Sequence, residues 1–210
     1  MADPIRVVHY INQFFGGMGG EEQANAPPEL REGAVGPGRA LDRALGDGGT
    51  VVGTIVAGDN YVVEEHEPAM TAVRDAIARF TPDLIVAGPA FEAGRYGLAC
   101  AEVCVEAQKN GVRALTGMFE DNPGVIAHRQ EIYCVPTGKS SVEMSPVLET
   151  MAALGLKLSG AAELGTASEE GYLPRGLRKF VMRDRGGAER AADMLKARLN
   201  DEPITTEVFI

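Results

Sequence analysis

Short apolar runs alternate along the chain with stretches of helical spacing, and this alternation limits the possible folds more than any other feature. Runs that are nearly continuous in apolar residues are typical of strands buried on both faces of a parallel sheet. They occupy residues 6–12, 50–57, 83–88, 114–119 and, as a fifth or an edge strand, 131–136. The helical stretches are residues 38–45, 64–80, 96–109, 145–158 and 187–199. The pattern predicts an α/β fold with a doubly wound, flavodoxin-like, mostly parallel sheet and helices on both faces.

The same pattern predicts one α/β domain over residues 1–200, with a long glycine-rich loop at residues 13–37. Residues 21–37 of this loop show no periodic pattern, and long ordered loops in compact domains are often functional. Residues 201–210 form a tail whose strand-like part, residues 204–210, ends on three apolar side chains. We expect this tail to continue into, or pack against, a missing or separate second half, because an isolated domain gains little by exposing it.

The charge balance argues against two classes of partner. The chain carries 20 Lys and Arg residues against 30 Asp and Glu residues, a net charge of −10. Nucleic-acid binding and attraction to an anionic membrane surface both depend on clustered basic residues, so neither is expected. No apolar run has the length of a signal peptide or a membrane span, and three cysteines do not form a disulfide framework. We therefore expect a cytoplasmic protein with reduced thiols.

The cysteines are predicted to serve the core rather than chemistry. Cys100 and Cys104 share one face of a predicted helix, but two thiols do not complete a metal site. Core packing is favoured over a metal or redox role, and Cys134, in a predicted strand, is expected to be packed as well. The motifs of common hydrolases are missing from the sequence. We expect no catalytic residue, no metal and no bound cofactor in this chain.

Polar residues and glycines follow the ends of the predicted strands, where ligands gather in doubly wound sheets. The residues predicted to bind substrate are Asn12, Gln13, Asp59, Arg95, Tyr96 and Asn122. Arg95 stands at the start of a predicted helix, where the free N–H groups and a guanidinium favour a carboxylate. The alternative is that Arg95 braces the turn against Glu92 or Asp59.

The glycines at residues 16–20 match neither common phosphate-binding fingerprint, and the two glutamates that follow would repel phosphate. A flexible hairpin or lid and a ligand-binding loop both remain open for this segment.

Several segments of the sequence resemble the amino-terminal half of the selenoprotein B component of glycine, sarcosine and betaine reductases. The resemblance is strongest over residues 87–97 (AGPAFEAGRYG), followed by Ala99 and Cys100. It also covers residues 7–15 (VVHYINQFF), 19–22 (GGEE), 31–38 (REGAVGPG), 58–59 (GD), 116–118 (TGM), 122–124 (NPG) and 169–172 (EEGY). These segments are spread over nearly the whole chain.

The resemblance implies a thiol- or selenol-dependent reductive cleavage of the C–N bond of glycine, sarcosine or betaine. It implies a pyruvoyl-bearing partner subunit that activates the amine, a selenocysteine or cysteine of component B that attacks the α-carbon, and a selenoprotein A-like carrier. Members of the family are about twice as long, and their nucleophile lies in the half that has no counterpart here. We therefore expect the chain to be inactive alone and to act with a second half or companion subunit.

Three functional hypotheses remain open at this point. The chain is a substrate-pocket domain of such a reductase, or a non-catalytic binding and assembly module on the same fold, or part of a related thiol-dependent C–N or C–S reaction. The sequence leaves open the substrate, the nucleophile (selenocysteine or cysteine), the oligomeric state, and whether the chain is a fragment, a processed piece or a separate gene product.

Overall fold

Strands with apolar side chains on both faces form the centre of the structure, a computed structural model that describes residues 3–160, 164–176 and 185–204. The strands are β1 (Ile5–Asn12), β2 (Glu29–Glu32), β3 (Gly49–Ala57), β4 (Leu84–Phe91), β5 (Arg113–Met118) and β6 (Tyr133–Pro136). Their order in the sheet is β2-β3-β1-β4-β5-β6, and every neighbouring pair is parallel except β2 with β3. Without β2 the parallel strands follow the flavodoxin-like order, so the predicted fold class is confirmed.

Helices cover both faces of the sheet. Their bounds are α1 (Gly38–Leu45), α2 (Asp59–Glu64), α3 (His66–Phe80), α4 (Gly94–Lys109), α5 (Pro123–His128), α6 (Met144–Ser159), α7 (Ala167–Glu170) and α8 (Gly187–Leu199). Helices α1 and α6 pack on one face, over a core that includes Leu41 and Leu148. Helices α3 and α4 pack on the other face, over Met70 and Cys100. The central strands therefore have a helical layer on each face.

The long apolar strands and the helices with a clear apolar stripe lie close to where the sequence predicts them. Helices α1 and α8 have the predicted bounds. Strand β4 runs three residues further than expected, through Gly88 and Pro89 to Phe91. Gly88 has a φ of +90°, which a side chain would make unfavourable.

Strand β2 was missed, because its sequence, Glu-Leu-Arg-Glu, has no apolar alternation. It is an edge strand that pairs antiparallel with β3, so backbone hydrogen bonds rather than buried side chains hold it. Arg31 donates from Nη1 to the carbonyl oxygen of Gly16 at 2.6 Å, and Arg79 bonds to Glu32 at 2.6 Å. Part of the segment 13–37 is thereby ordered against the sheet.

The chain divides into two compact units, Met1–Gly176 and Leu177–Ile210. Helix α8 belongs to the second unit, where the Gly186 N–H donates to Glu189 at 3.1 Å and Arg185 forms an ion pair with Asp193. Most of the predicted terminal strand, residues 205–210, lies outside the described residues. Among the residues that the structure describes, no helix combines the length and the apolar character needed to cross a membrane.

His9 is fully buried in β1 and ties two central strands together. Its Nε2 lies 2.7 Å from the carbonyl oxygen of Gly88 in β4, so the ring forms a hydrogen bond within the core. Burial lowers the pKa of His9 from 6.5 to about 4, and the hydrogen bond to Gly88 acts in the opposite direction. The ring is therefore neutral near pH 7, with Nε2–H donating to Gly88.

This burial predicts a loss of stability in mild acid. Between pH 6.5 and pH 4 the unfolded chain binds a proton at His9 that the folded chain excludes, so stability falls as the pH falls. We expect His9 to contribute a loss of about 2 kcal/mol in the free energy of unfolding between pH 7 and pH 5. Urea unfolding of the wild type and of His9→Gln over this range measures the effect. Equal pH dependence of the two proteins would contradict the prediction.

Candidate functional site

A cavity of about 320 Å³ lies beyond the carboxyl ends of the central strands, near the switch point between β1 and β4. Four of the six predicted site residues line it: Asn12, Gln13, Asp59 and Tyr96. Its other lining residues are Phe14, Phe15, Gly20, Glu21, Ala90, Phe91, Ala93, Lys139 and Ser141. A cavity of about 320 Å³ also lies at the opposite end of β5, but it lacks a comparable group of converging charges. The first cavity is at the small end of ligand-site volumes.

Asn12 and Gln13 shape the cavity through the backbone. The Phe15 N–H donates to Oδ1 of Asn12 at 3.1 Å, and the Asp59 N–H donates to Oε1 of Gln13 at 3.2 Å. The Gly16 N–H also donates to the carbonyl oxygen of Asn12 at 2.9 Å. The two side chains thus connect the turn after β1 with the start of α2, and the start of the glycine-rich segment is an ordered turn.

Asp59 brings a buried carboxylate to the cavity without a hydrogen-bond partner for one of its oxygens. The residue is 8% exposed, and its Oδ1 has no partner among the described residues. Burial raises the pKa of the Asp59 carboxyl, and the nearby charge of Arg95 acts in the opposite direction. An unpaired buried carboxylate is unfavourable, so its presence in a cavity calls for an explanation.

Arg95 does not line the cavity but lies at its rim. It is the second residue of α4, and its guanidinium forms an ion pair with Glu21, a lining residue. The sequence-based alternative named Glu92 or Asp59 as the structural partner of Arg95. The structure places Glu21 in that position and pairs Glu92 with Lys139 at 2.8 Å. Half of the Arg95 side chain and most of the Glu21 side chain are exposed, so the pair is held weakly.

Four aromatic residues line the cavity, Phe14, Phe15, Phe91 and Tyr96, which we call the aromatic wall. The rings of Phe15 and Tyr96 are 6.0 Å apart, and those of Phe14 and Phe15 are 5.5 Å apart. Tyr96 is 1% exposed, and burial raises the pKa of its phenol well above the usual value. Its hydroxyl therefore stays protonated at neutral pH.

Asn122, the sixth predicted residue, lies behind the cavity and not in its lining. Its Nδ2 donates to the carbonyl oxygens of Phe91 at 3.0 Å and of Ala93 at 3.2 Å, and its Oδ1 accepts from the Gly124 N–H at 3.0 Å. It therefore caps α5 and holds Phe91, whose φ of +52° is rare for a bulky residue. A Cβ on Gly97 would lie 2.0 Å from Oδ1 of Asn122, so this contact needs glycine.

The sequence patterns missed Lys139, which lines the cavity from the segment after β6. Its ammonium lies 4.8 Å from the centre of the Phe119 ring as well as beside Glu92. Lys139 has no motif around it, and its position depends on β6 lying parallel beside β5 at the sheet edge. Lys139 could have been predicted only by assuming that the segment after every strand, including the edge strand β6, contributes to the cavity.

All three cysteines are buried and reduced. Burial raises the pKa of the Cys100 and Cys104 thiols, and it raises the pKa of Cys134 to about 12. The predicted core role of the cysteines matches these positions. Within residues 3–160, 164–176 and 185–204, no three His, Cys, Asp or Glu side chains form a group suited to a metal ion.

The fold and the cavity together define a flavodoxin-like α/β protein with a small, mixed-charge cavity at the switch point of its sheet. The family model for "Glycine/sarcosine/betaine reductase selenoprotein B" matches residues 4–210. The chain therefore belongs to this family, and the resemblance seen in the sequence is confirmed.

Relatives from several reductase complexes match nearly the whole chain. It is 48% identical to a glycine reductase complex component B subunit gamma of Carboxydothermus hydrogenoformans, over 97% of this chain and 47% of the relative. It is 44% identical to a sarcosine reductase complex component B subunit beta of Peptoclostridium acidaminophilum, with the same coverage. A betaine reductase complex component B subunit beta of that organism is 36% identical, over 98% and 47%. The chain thus spans about half the length of these curated relatives. No solved structure matches it.

Removing Asn122 should destabilise the fold. Asn122→Ala leaves two carbonyl oxygens and one N–H without this partner, and we expect a loss on the order of 2–4 kcal/mol in the free energy of unfolding. Asn122→Asp keeps the capping oxygen but places a buried carboxylate oxygen against two carbonyl oxygens, so its loss should be at least as large. Urea unfolding of the three proteins tests this order. Equal stability of the wild type and Asn122→Ala would contradict the role.

The cysteines should resist thiol reagents in the folded chain. Because all three are buried and their pKa values are raised, we expect none to react quickly with a chromogenic disulfide at pH 8, and all three to react in guanidinium chloride. Absorbance during the titration counts the thiols. A rapidly reacting thiol in the folded chain, assigned by mass spectrometry, would show an activated cysteine.

Proposed function

We propose that the chain supplies the substrate-pocket domain of a cytoplasmic reductase complex that cleaves the C–N bond of glycine, sarcosine or betaine. The observation that best supports this proposal is the cavity at the switch point, where the buried carboxylate of Asp59 lies near the cations Arg95 and Lys139. All three candidate substrates carry a cationic nitrogen and a carboxylate one carbon apart. The complexes named for the relatives support the same class of substrate.

In this proposal the reactive groups belong to other polypeptides or to a second half. The three cysteines of the chain are buried thiols with raised pKa values, which makes them poor nucleophiles. A selenocysteine or cysteine of the companion part, a pyruvoyl-bearing subunit and a selenoprotein A-like carrier would supply the chemistry that the family resemblance implies. The chain binds and orients the substrate, and alone it does not turn it over.

Arg95 is the proposed partner of the substrate carboxylate. It lies in the first turn of α4, where free backbone N–H groups favour an anion. Its ion pair with Glu21 is largely exposed, so a substrate carboxylate can replace Glu21 at small cost. A planar guanidinium can hold a carboxylate through two parallel hydrogen bonds, which lysine cannot reproduce.

The test is the affinity of the native complex that carries this chain for glycine, sarcosine and betaine, measured by calorimetry. Arg95→Lys should weaken binding roughly ten- to a hundredfold, because a charge-assisted hydrogen bond is lost. The melting temperature should change little, since the Glu21 pair is exposed. Arg79→Lys is the matched control, because Arg79 forms a similar exposed pair with Glu32.

Two outcomes would contradict the proposal. Unchanged affinity with a lowered melting temperature in Arg95→Lys would make Arg95 a structural residue. Absence of binding to the wild-type complex would favour the assembly module on the same fold.

A further inference from the structure

Two residues that line the cavity, Tyr96 and Asp59, each have a buried side-chain oxygen without a partner among the described residues, and of the two only Asp59 carries a carboxyl group. Its backbone N–H bonds to Gln13, but its side-chain Oδ1 is buried and has no partner among the described residues. By contrast, Glu21 and Lys139 are each paired with a residue of opposite charge. A buried polar group without a protein partner lowers stability, and such groups are found at functional sites, where a ligand can supply the partner.

We propose that Asp59 and the aromatic wall recognise the cationic nitrogen of the substrate, a role that rests on the proposed function. A cationic amine can bring a positive charge into direct contact with Asp59 and, where the nitrogen carries hydrogens, supplies the donor that Oδ1 lacks. The carboxylate end of the same ligand then points to Arg95. Arg95 lies near enough for its charge to act on Asp59, which suits a ligand whose two charges are one carbon apart.

The aromatic wall extends this recognition to methylated nitrogens. A quaternary ammonium has no N–H to donate, but it is attracted to the faces of aromatic rings. Phe15 is partly exposed at the cavity and packs against Tyr96, so its ring can be in contact with solvent and ligand. Asp59 therefore matters most for a primary amine, and Phe15 matters most for a trimethylated one.

The experiment that tests this inference compares ligands that share a carboxylate and differ only in the group at the position of the nitrogen. Calorimetry on the native complex would use glycine, betaine and propionate, in which a methyl group replaces the ammonium. Asp59→Asn should weaken glycine binding roughly ten- to a hundredfold, weaken betaine binding less, and leave propionate binding unchanged or stronger. Phe15→Leu should show the opposite preference, with a larger loss for betaine than for glycine.

Glu64→Gln is the matched control for charge. Glu64 belongs to the same short helix as Asp59 and its charge also acts on Arg95, but it is exposed and does not line the cavity. We expect it to bind all three ligands as the wild type does. The melting temperature of Asp59→Asn should be unchanged or higher than that of the wild type, because an unpaired buried charge is removed.

The possible failures are distinguishable. If the wild-type complex binds none of the ligands, the substrate-pocket proposal fails and this inference fails with it. If the wild type binds glycine and Asp59→Asn binds it equally well, the inference alone fails. If Asp59→Asn weakens glycine and propionate to the same extent, or lowers the melting temperature, Asp59 is a structural residue and the amine is recognised elsewhere.

Discussion

The parallel pairing of β1 with β3 and β4 is the constraint on which the rest of the structure depends. Its register sets Asn12 beside Ala57 and Tyr10 beside Ala87, so the chain leaves neighbouring strands at nearly the same level of the sheet. The segments that begin at Gln13 and Asp59, and the end of β4 at Ala90, must therefore meet at one edge. Because these central strands are buried on both faces, a slip of one residue would exchange the side chains that fill the two cores. The cavity is a consequence of that register.

Two kinds of polar residue gather at this edge, and their hydrogen bonds separate them. His9 and Asn122 have protein partners that link β1 to β4 and α5 to the end of β4. They hold Gly88 and Phe91 in conformations with positive φ, so they act on the cavity by shaping its backbone. Asp59 instead keeps a buried oxygen free of protein partners. Asn122, whose side-chain oxygen and nitrogen are both bonded, has little left for a ligand, whereas the unpaired oxygen of Asp59 can accept a hydrogen bond from one.

The sequence predicts the elements whose residue pattern is set by their own burial, and it does not predict those that depend on contacts with other parts of the chain. Continuous apolar runs and helical stripes report burial directly, so the central strands and helix α1 lie where they were predicted. Helix α8 also has its predicted bounds, although none of its residues is buried. Strand β2 has a polar sequence and exists because the edge of β3 offers backbone partners, which no pattern within residues 29–32 reveals. In the same way, the rule that ligands gather at strand ends located Asn12, Gln13, Asp59 and Tyr96, but it could not separate lining from support. Asn122 follows a strand end as they do, and only its three contacts show that it faces the backbone.

The charges around the cavity are the basis of the proposal that this chain binds the substrate and does not attack it. A nucleophilic thiol needs a lowered pKa and access to its target, whereas the three thiols here lie in the core with raised pKa values. What the cavity offers instead is one unpaired carboxylate, an exposed ion pair that is easily exchanged and an aromatic wall. These groups can fix the two ends of a small zwitterion while leaving the carbon between them untouched. If the chain acts as proposed, that carbon must stay accessible to a reactive group from outside the domain. The exposed side chains of Phe14 and Lys139 at the cavity are consistent with such an opening.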